Sequence, residues 1–207
     1  MEKVTMIIAF GLLLLTGADQ NRKTILFFGD SLTAGYGLDE EQAFPALISE
    51  KIESAGLNYR VINSGSSGET SAGGLRRIDW VLQQPVDVFV LGLGGNDGLR
   101  GIDPDFTKEN LQGIMDKVRE RYPDVVILLA GMEAPPNLGE GYTQRFREIF
   151  RELEQENGLH FMPFLLGDVA GDPDLNQPDG IHPTAEGHQM IADEMWPYLE
   201  PLITDGR

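Results

Sequence analysis

The stretch Thr24-Ile25-Leu26-Phe27-Phe28-Gly29-Asp30-Ser31-Leu32-Thr33-Ala34-Gly35-Tyr36-Gly37 decides how the rest of the chain is read. Its first five residues form an apolar run too short for a helix, which reads as a buried strand. The strand ends on a glycine and delivers a serine into a loop of small residues. In an open α/β sheet that is where reactive groups sit. Asp, Ser and Gly are also ordinary turn and N-cap residues. Ser31 therefore needs partners elsewhere before it counts as a nucleophile.

Outward from this stretch, strand and helix patterns alternate. A polar loop follows Ser31, then Phe44, Leu47, Ile48 and Ile52 fall at helical spacing. Pro45 is tolerable in a first turn and Gly56 closes the segment. Tyr59-Arg60-Val61-Ile62 reads as a second strand, running into the small-residue segment 63–70. Leu75, Ile78, Val81 and Leu82 mark the next helix, and residues 86–91 a third strand that ends in Gly92-Leu93-Gly94-Gly95-Asn96-Asp97-Gly98. Pro104 and Asp105 open a helix with an apolar stripe at Leu111, Ile114, Met115, Val118 and Tyr122. Residues 125–130 are an aliphatic strand. Tyr142, Phe146, Ile149, Phe150 and Leu153 make another helical face, and His160-Phe161-Met162-Pro163 a last short strand. Pro183 reads as the N1 proline of a final helix.

Strands that are apolar on both faces and alternate with helices predict a parallel sheet covered on both sides. The expected fold is a three-layer α/β/α sandwich with a central parallel sheet in flavodoxin-like order. The loops after the strands then share one edge. Ser31, Gly68, Asn96 and the Asp179/His182 pair all fall in such loops.

Composition narrows the function. The net charge of −17, from 33 acidic against 16 basic residues, argues against nucleic acid or an anionic membrane as partner, since both require Lys/Arg clusters. The acidic residues are dispersed without a long block, as on a solvated surface. The absence of cysteine removes disulfides, thiolate metal sites and a cysteine nucleophile. Residues 6–15 are an apolar run of signal-peptide length, too short for a bilayer core of ~30 Å, and Thr16-Gly17-Ala18 supplies small residues for cleavage. Residues 1–18 are therefore expected to be a signal peptide and residues 19–207 a single, monomeric domain. The product is expected to be periplasmic or secreted, without stable membrane insertion.

Acyl transfer from a serine requires a hydroxyl, a base, a group that orients the base, and donors for the oxyanion. Of the three histidines, His160 falls in a strand and His188 within the last helix. His182 alone lies in a loop, with Asp179 three residues before it. A short turn there lets Asp179 accept from one ring nitrogen while the other faces Ser31. The order Ser…Asp…His is that of other α/β serine hydrolases, but the Gly-x-Ser-x-Gly elbow of the α/β-hydrolase fold is absent. Gly68 can offer a backbone N–H, Asn96 a side-chain amide and Ser31 its own N–H. Taken singly, each of these residues is as well explained by a turn.

The set resembles the SGNH-hydrolase (GDSL-type esterase) superfamily. Gly29-Asp30-Ser31-Leu32 matches its first motif, Gly68 in Ser67-Gly68-Glu69-Thr70 the second, Gly94-Gly95-Asn96-Asp97 the third, and Asp179-Gly180-Ile181-His182-Pro183 the last. Gly94-Gly95-Asn96-Asp97-Gly98-Leu99-Arg100-Gly101 further resembles the multifunctional thioesterase/protease/lysophospholipase branch, with Glu69 standing where that branch has Asp. The resemblance implies Ser31 as nucleophile, His182 as base, Asp179 as its orienter, and an oxyanion hole from Ser31, Gly68 and Asn96. It implies no cofactor. A zinc site from Asp179, His182 and His188 fits no familiar spacing, so no metal is expected.

The acyl groove is expected between the loop at 34–38, the segment at 75–80 and the loop at 132–138. Leu32, Tyr36, Leu75, Ile78, Pro135 and Asn137 are its candidate lining residues. The apolar residues among these loops suit an acyl or aryl ester or a lysophospholipid. A carbohydrate O-deacetylase is the enzymatic alternative. A non-catalytic lipid- or glycan-binding module is the alternative from another class, and it gives no reason to retain Ser31, Asp179 and His182 together.

Overall fold

The computed structural model describes residues 22–204, so the signal-peptide reading of residues 1–18 lies outside the described residues. Five strands, β1 (Lys23–Gly29), β2 (Tyr59–Gly65), β3 (Val88–Gly92), β4 (Val126–Ala130) and β5 (His160–Met162), lie in the order β2-β1-β3-β4-β5. Every neighbouring pair is parallel. The helices are α1 (Ser31–Ala34), α2 (Phe44–Ser54), α3 (Ser71–Val81), α4 (Gly95–Leu99), α5 (Pro104–Arg121), α6 (Glu140–Asn157) and α7 (Ala185–Thr204). α2 and α7 pack together on one face, and α3, α5 and α6 side by side on the other. This is the expected three-layer α/β/α sandwich in flavodoxin-like order.

The chain runs outward from β1 to β2, then crosses back over β1 to β3. Its direction reverses between β1 and β3, and a crevice opens beyond their C-terminal ends. Ser31 follows β1 and Asn96 follows β3, so topology alone brings them to the same crevice. β3 is buried at all five residues and β1 at six of seven, which is why both read as unbroken apolar runs. Phe28 of β1 and Phe89 of β3 pack with ring centroids 5.7 Å apart beneath the site.

Three local readings change. The small-residue segment after Ile62 continues β2 as far as Gly65, which pairs with Gly29, so the pairing outlasts the apolar pattern. The loop after Ser31 is a helical turn, α1, capped by the Asp30 side chain on the Leu32 N–H. α1 lies directly on the end of β2, because a Cβ at Gly65 would fall 2.2 Å from the Ala34 nitrogen. The last helix begins at Ala185 and not at Pro183, which forms a bridge to Asn176. Thr184 supplies the cap, its hydroxyl accepting from the Gly187 N–H.

α7 is tied to α2 through His188, which is 1% exposed. Its Nδ1 accepts the Phe44 N–H at 3.1 Å, at the first residue of α2, and its ring stacks on Phe44. Burial, reinforced by the charge of His182, lowers His188 to about 4, so it stands neutral as a packed acceptor.

Candidate active site

Ser31 opens α1 and is 9% exposed. Its Oγ lies 3.0 Å from His182 Nε2, across 151 residues of chain. His182 Nδ1 lies 2.7 Å from Asp179 Oδ2. The other oxygen of Asp179 accepts the Ile181 and His182 N–H groups at 2.9 and 3.0 Å, so residues 179–182 form a turn wound on this carboxylate. Those backbone bonds, with the His182 ring, hold Asp179 at about 2. An ionised carboxylate against Nδ1 fixes the proton there and leaves the Nε2 lone pair to accept the Ser31 hydroxyl.

The oxyanion candidates Gly68 and Asn96 follow the C-terminal ends of β2 and β3, the strands that flank β1. Asn96 sits in the first turn of α4, after β3. Gly68 lies in the turn after β2 with φ of +78°, a backbone conformation that favours glycine. The Ser66 N–H donates to Gly29 O and fastens that turn beside the end of β1. The Arg77 guanidinium pairs with Glu69, donates to Ser64 O and packs over Phe28, bracing the same turn against α3. Glu69 thus has an evident task in this chain. The Arg100 guanidinium holds the Gly68 carbonyl at 3.0 Å.

Two carboxylates that sequence reasoning left without a role anchor the donors. Asp97 is fully buried and accepts the Ser71 N–H and hydroxyl at 2.8 and 2.6 Å and the Thr107 hydroxyl at 3.3 Å. It ties α4, and with it Asn96, to α3 and α5. Asp30 is 1% exposed; Oδ1 accepts the Leu32 N–H and Oδ2 the Asn96 amide at 3.3 Å. Burial raises Asp30 to about 6, against the Leu32 and Asn96 donors that pull it down.

The raised value has a stability consequence of definite sign. The folded state holds the Asp30 proton more tightly than the unfolded chain, so the contribution is full below pH ~4 and is lost as pH rises through about 6. At pH 7.5 the ionised carboxylate costs on the order of 3 kcal/mol. Asp30→Asn removes this titration, and although its NH₂ meets one of the two donors at any pH, the variant's unfolding midpoint relative to the parent is expected to be several degrees higher at pH 7.5 than at pH 4. Calorimetry at the two pH values checks this, and an equal shift at both would contradict it.

Beside Ser31 a groove of about 630 Å³ runs between the strand ends. Leu32, Leu99, Met132, Phe164, Leu166 and Ile181 supply apolar walls, and Ala134, Pro135, Pro136, Asn137 and Leu138 close one side. Leu32, Pro135 and Asn137 line this groove. Tyr36 is not among the lining residues; its ring lies over His182 with centroids 4.5 Å apart. Leu75 and Ile78 do not reach the groove. α3 leaves the sheet edge at Ser71 and returns toward the start of β3, carrying Leu75 about 6 Å down its axis. Ile78 is fully buried, and Leu75 packs over Gly113 of α5. The wall assigned to α3 is instead built by residues from the loop between β5 and α7. Among the described residues no group of three or more His, Asp or Glu side chains is arranged to hold a metal ion.

A parallel α/β sandwich with a serine, a histidine and a carboxylate in hydrogen-bonded series at its switch point has the architecture of a serine hydrolase. The chain belongs to the GDSL-like lipase/acylhydrolase family, which matches residues 27–190. It is 37% identical over 182 residues to the esterase TesA of Pseudomonas aeruginosa, covering 87% of this chain and 90% of that one. Identity to thioesterase 1/protease 1/lysophospholipase L1 of Escherichia coli strain K12 is 38% over 193 residues, 93% and 90% of the two chains. The crystal structure of the psychrotrophic esterase EstA from Pseudoalteromonas, inhibited by monoethylphosphonate, superposes with a TM-score of 0.81 at 35% identity. That match spans 86% of this chain and 97% of EstA. The chain is an SGNH-type serine esterase.

Proposed function

We propose that the protein hydrolyses acyl or aryl carboxylic esters, thioesters and lysophospholipids through an acyl-enzyme on Ser31. The observation that carries this reading is the Ser31–His182–Asp179 series, 3.0 and 2.7 Å, at the mouth of an apolar groove. Ser31 Oγ attacks the carbonyl carbon while His182 Nε2 takes the hydroxyl proton, and the imidazolium is stabilised by the ionised Asp179. The carbonyl oxygen becomes an oxyanion facing the Ser31 and Gly68 N–H groups and the Asn96 amide. When the tetrahedral intermediate collapses, the C–O or C–S bond to the leaving group breaks and His182 returns its proton to that group. Water, deprotonated by His182, then attacks the acyl carbon and releases the acid and the serine hydroxyl.

The groove favours an acyl or aryl occupant over an acetylated sugar, because its walls are predominantly aliphatic and proline side chains. Export through residues 1–18, with action as a monomer in the periplasm or outside the cell, belongs to the same reading. Among the described residues no helix is long and apolar enough to cross a membrane. The test is a series of p-nitrophenyl esters of increasing chain length, run beside a lysophospholipid and an acetylated oligosaccharide. Turnover is expected to rise from acetyl to medium acyl chains. Preference for the acetylated sugar would favour the deacetylase.

A further inference from the structure

The turn that carries Asp179 and His182 is internally closed, but nothing inside it fixes its distance from Ser31. Each segment is anchored to the fold separately, the Ser31 side through β1 and the His182 side through Asn176 and Thr184, and a direct link between the two adds the fine adjustment of that distance. We propose that Gln177 is the positioning residue that makes this adjustment, an inference that rests on the reading of Ser31 and His182 as nucleophile and base.

Gln177 is partly buried and uses both its backbone and its side chain. Its N–H donates to His182 O at 2.7 Å and its carbonyl accepts the Gly180 N–H at 2.8 Å, which closes the turn from below. Its side-chain nitrogen donates to Tyr36 O at 2.7 Å and to Pro183 O at 2.9 Å. One NH₂ group thus spans 141 residues of chain and joins the segment just past α1 to the residue just past His182. Both protons of the amide are committed, one to each segment.

The opposing segment is shaped to receive it. Gly37 has φ of +82°, and a Cβ there would fall 2.6 Å from Gln177 Oε1. Tyr36, the residue whose carbonyl is bonded, is also the residue whose ring lies over His182. The Tyr36 N–H returns to Ser31 O at 3.1 Å. The mechanical path therefore runs from Ser31 through Tyr36 to Gln177, and from Gln177 through Pro183 to His182.

The staple and the turn can be separated by mutation, because the turn is closed by backbone groups that a substitution at Gln177 retains. Gln177→Ala removes both side-chain donors, and Gln177→Glu keeps size while placing an acceptor against two carbonyls. Misplacement of a catalytic group by ~1 Å costs up to about 10²-fold in rate. For both variants, steady-state kinetics on a p-nitrophenyl ester should show kcat reduced 10- to 100-fold, with KM within twofold of the parent. The far-downfield NMR signal of the His182 Nδ1 proton should persist in both, since the contact with Asp179 is internal to the turn. Two outcomes overturn the proposal: kcat within twofold of the parent, or loss of the downfield signal together with kcat, which would make Gln177 a folding residue of the turn. Ser31→Ala, run in parallel, separates the underlying reading; undiminished turnover there would refute the serine mechanism itself, and the role of Gln177 with it.

Discussion

Ser31→Ala is expected to lower kcat on p-nitrophenyl esters by ~10⁴- to 10⁶-fold, the range found when one member of a triad acting as a unit is removed. The substitution deletes one oxygen from a residue that is 9% exposed and leaves the helical turn, the Asp30 cap and the Gly35 closure intact. No cavity of consequence forms, so thermal unfolding should stay within about 0.5 kcal/mol of the parent. Loss of turnover with an unchanged melting curve therefore isolates chemistry from folding. Because the hydroxyl acts only through His182, Ser31→Ala/His182→Ala should be no slower than Ser31→Ala alone. Additive losses, or a single-mutant rate within tenfold of the parent, would show that the 3.0 Å contact is not the reacting pair.

What the sequence exposed and what it hid follow from the range of the interactions. β1, β3 and β4 are legible because strands buried on both faces must be apolar throughout, and the helices because each has one apolar stripe. β2 is partly exposed along most of its length, and its last three residues, Asn63, Ser64 and Gly65, pair through the backbone alone. No side-chain pattern can announce that. The Asp179 turn could be inferred because both partners sit three residues apart. The anchoring of Asn96 by Asp30, 66 residues away, and of Ser71 by Asp97, 26 residues away, leaves no local trace beyond an acidic residue beside a small one. Leu75 and Ile78 failed as groove residues for a different reason. Apolar periodicity says that a face is buried without saying against what, and α3 buries its face against the sheet and α5. Gln177 gave no signal because its task is defined by two carbonyls from distant segments.

Asn96→Ala should cost ~10²- to 10³-fold in kcat, about 2.7–4 kcal/mol of transition-state stabilisation, with KM nearly unchanged. The amide reaches the site on a fixed base. Asp97 locks α4 from below, and one amide proton is committed to Asp30 Oδ2 at 3.3 Å. The second proton remains to meet an oxyanion, and it meets a ground-state carbonyl less well, which places the loss in kcat. The same substitution has an effect away from catalysis. Burial already raises Asp30 to about 6, and the Asn96 amide is among the groups that restrain it. Removing that donor should move the Asp30 titration upward, read by carbon NMR of its carboxyl. A rate loss below threefold would exclude Asn96 from the oxyanion hole. A rate loss of the expected size with an unmoved Asp30 would instead mean that the amide serves the oxyanion without being held by the carboxylate.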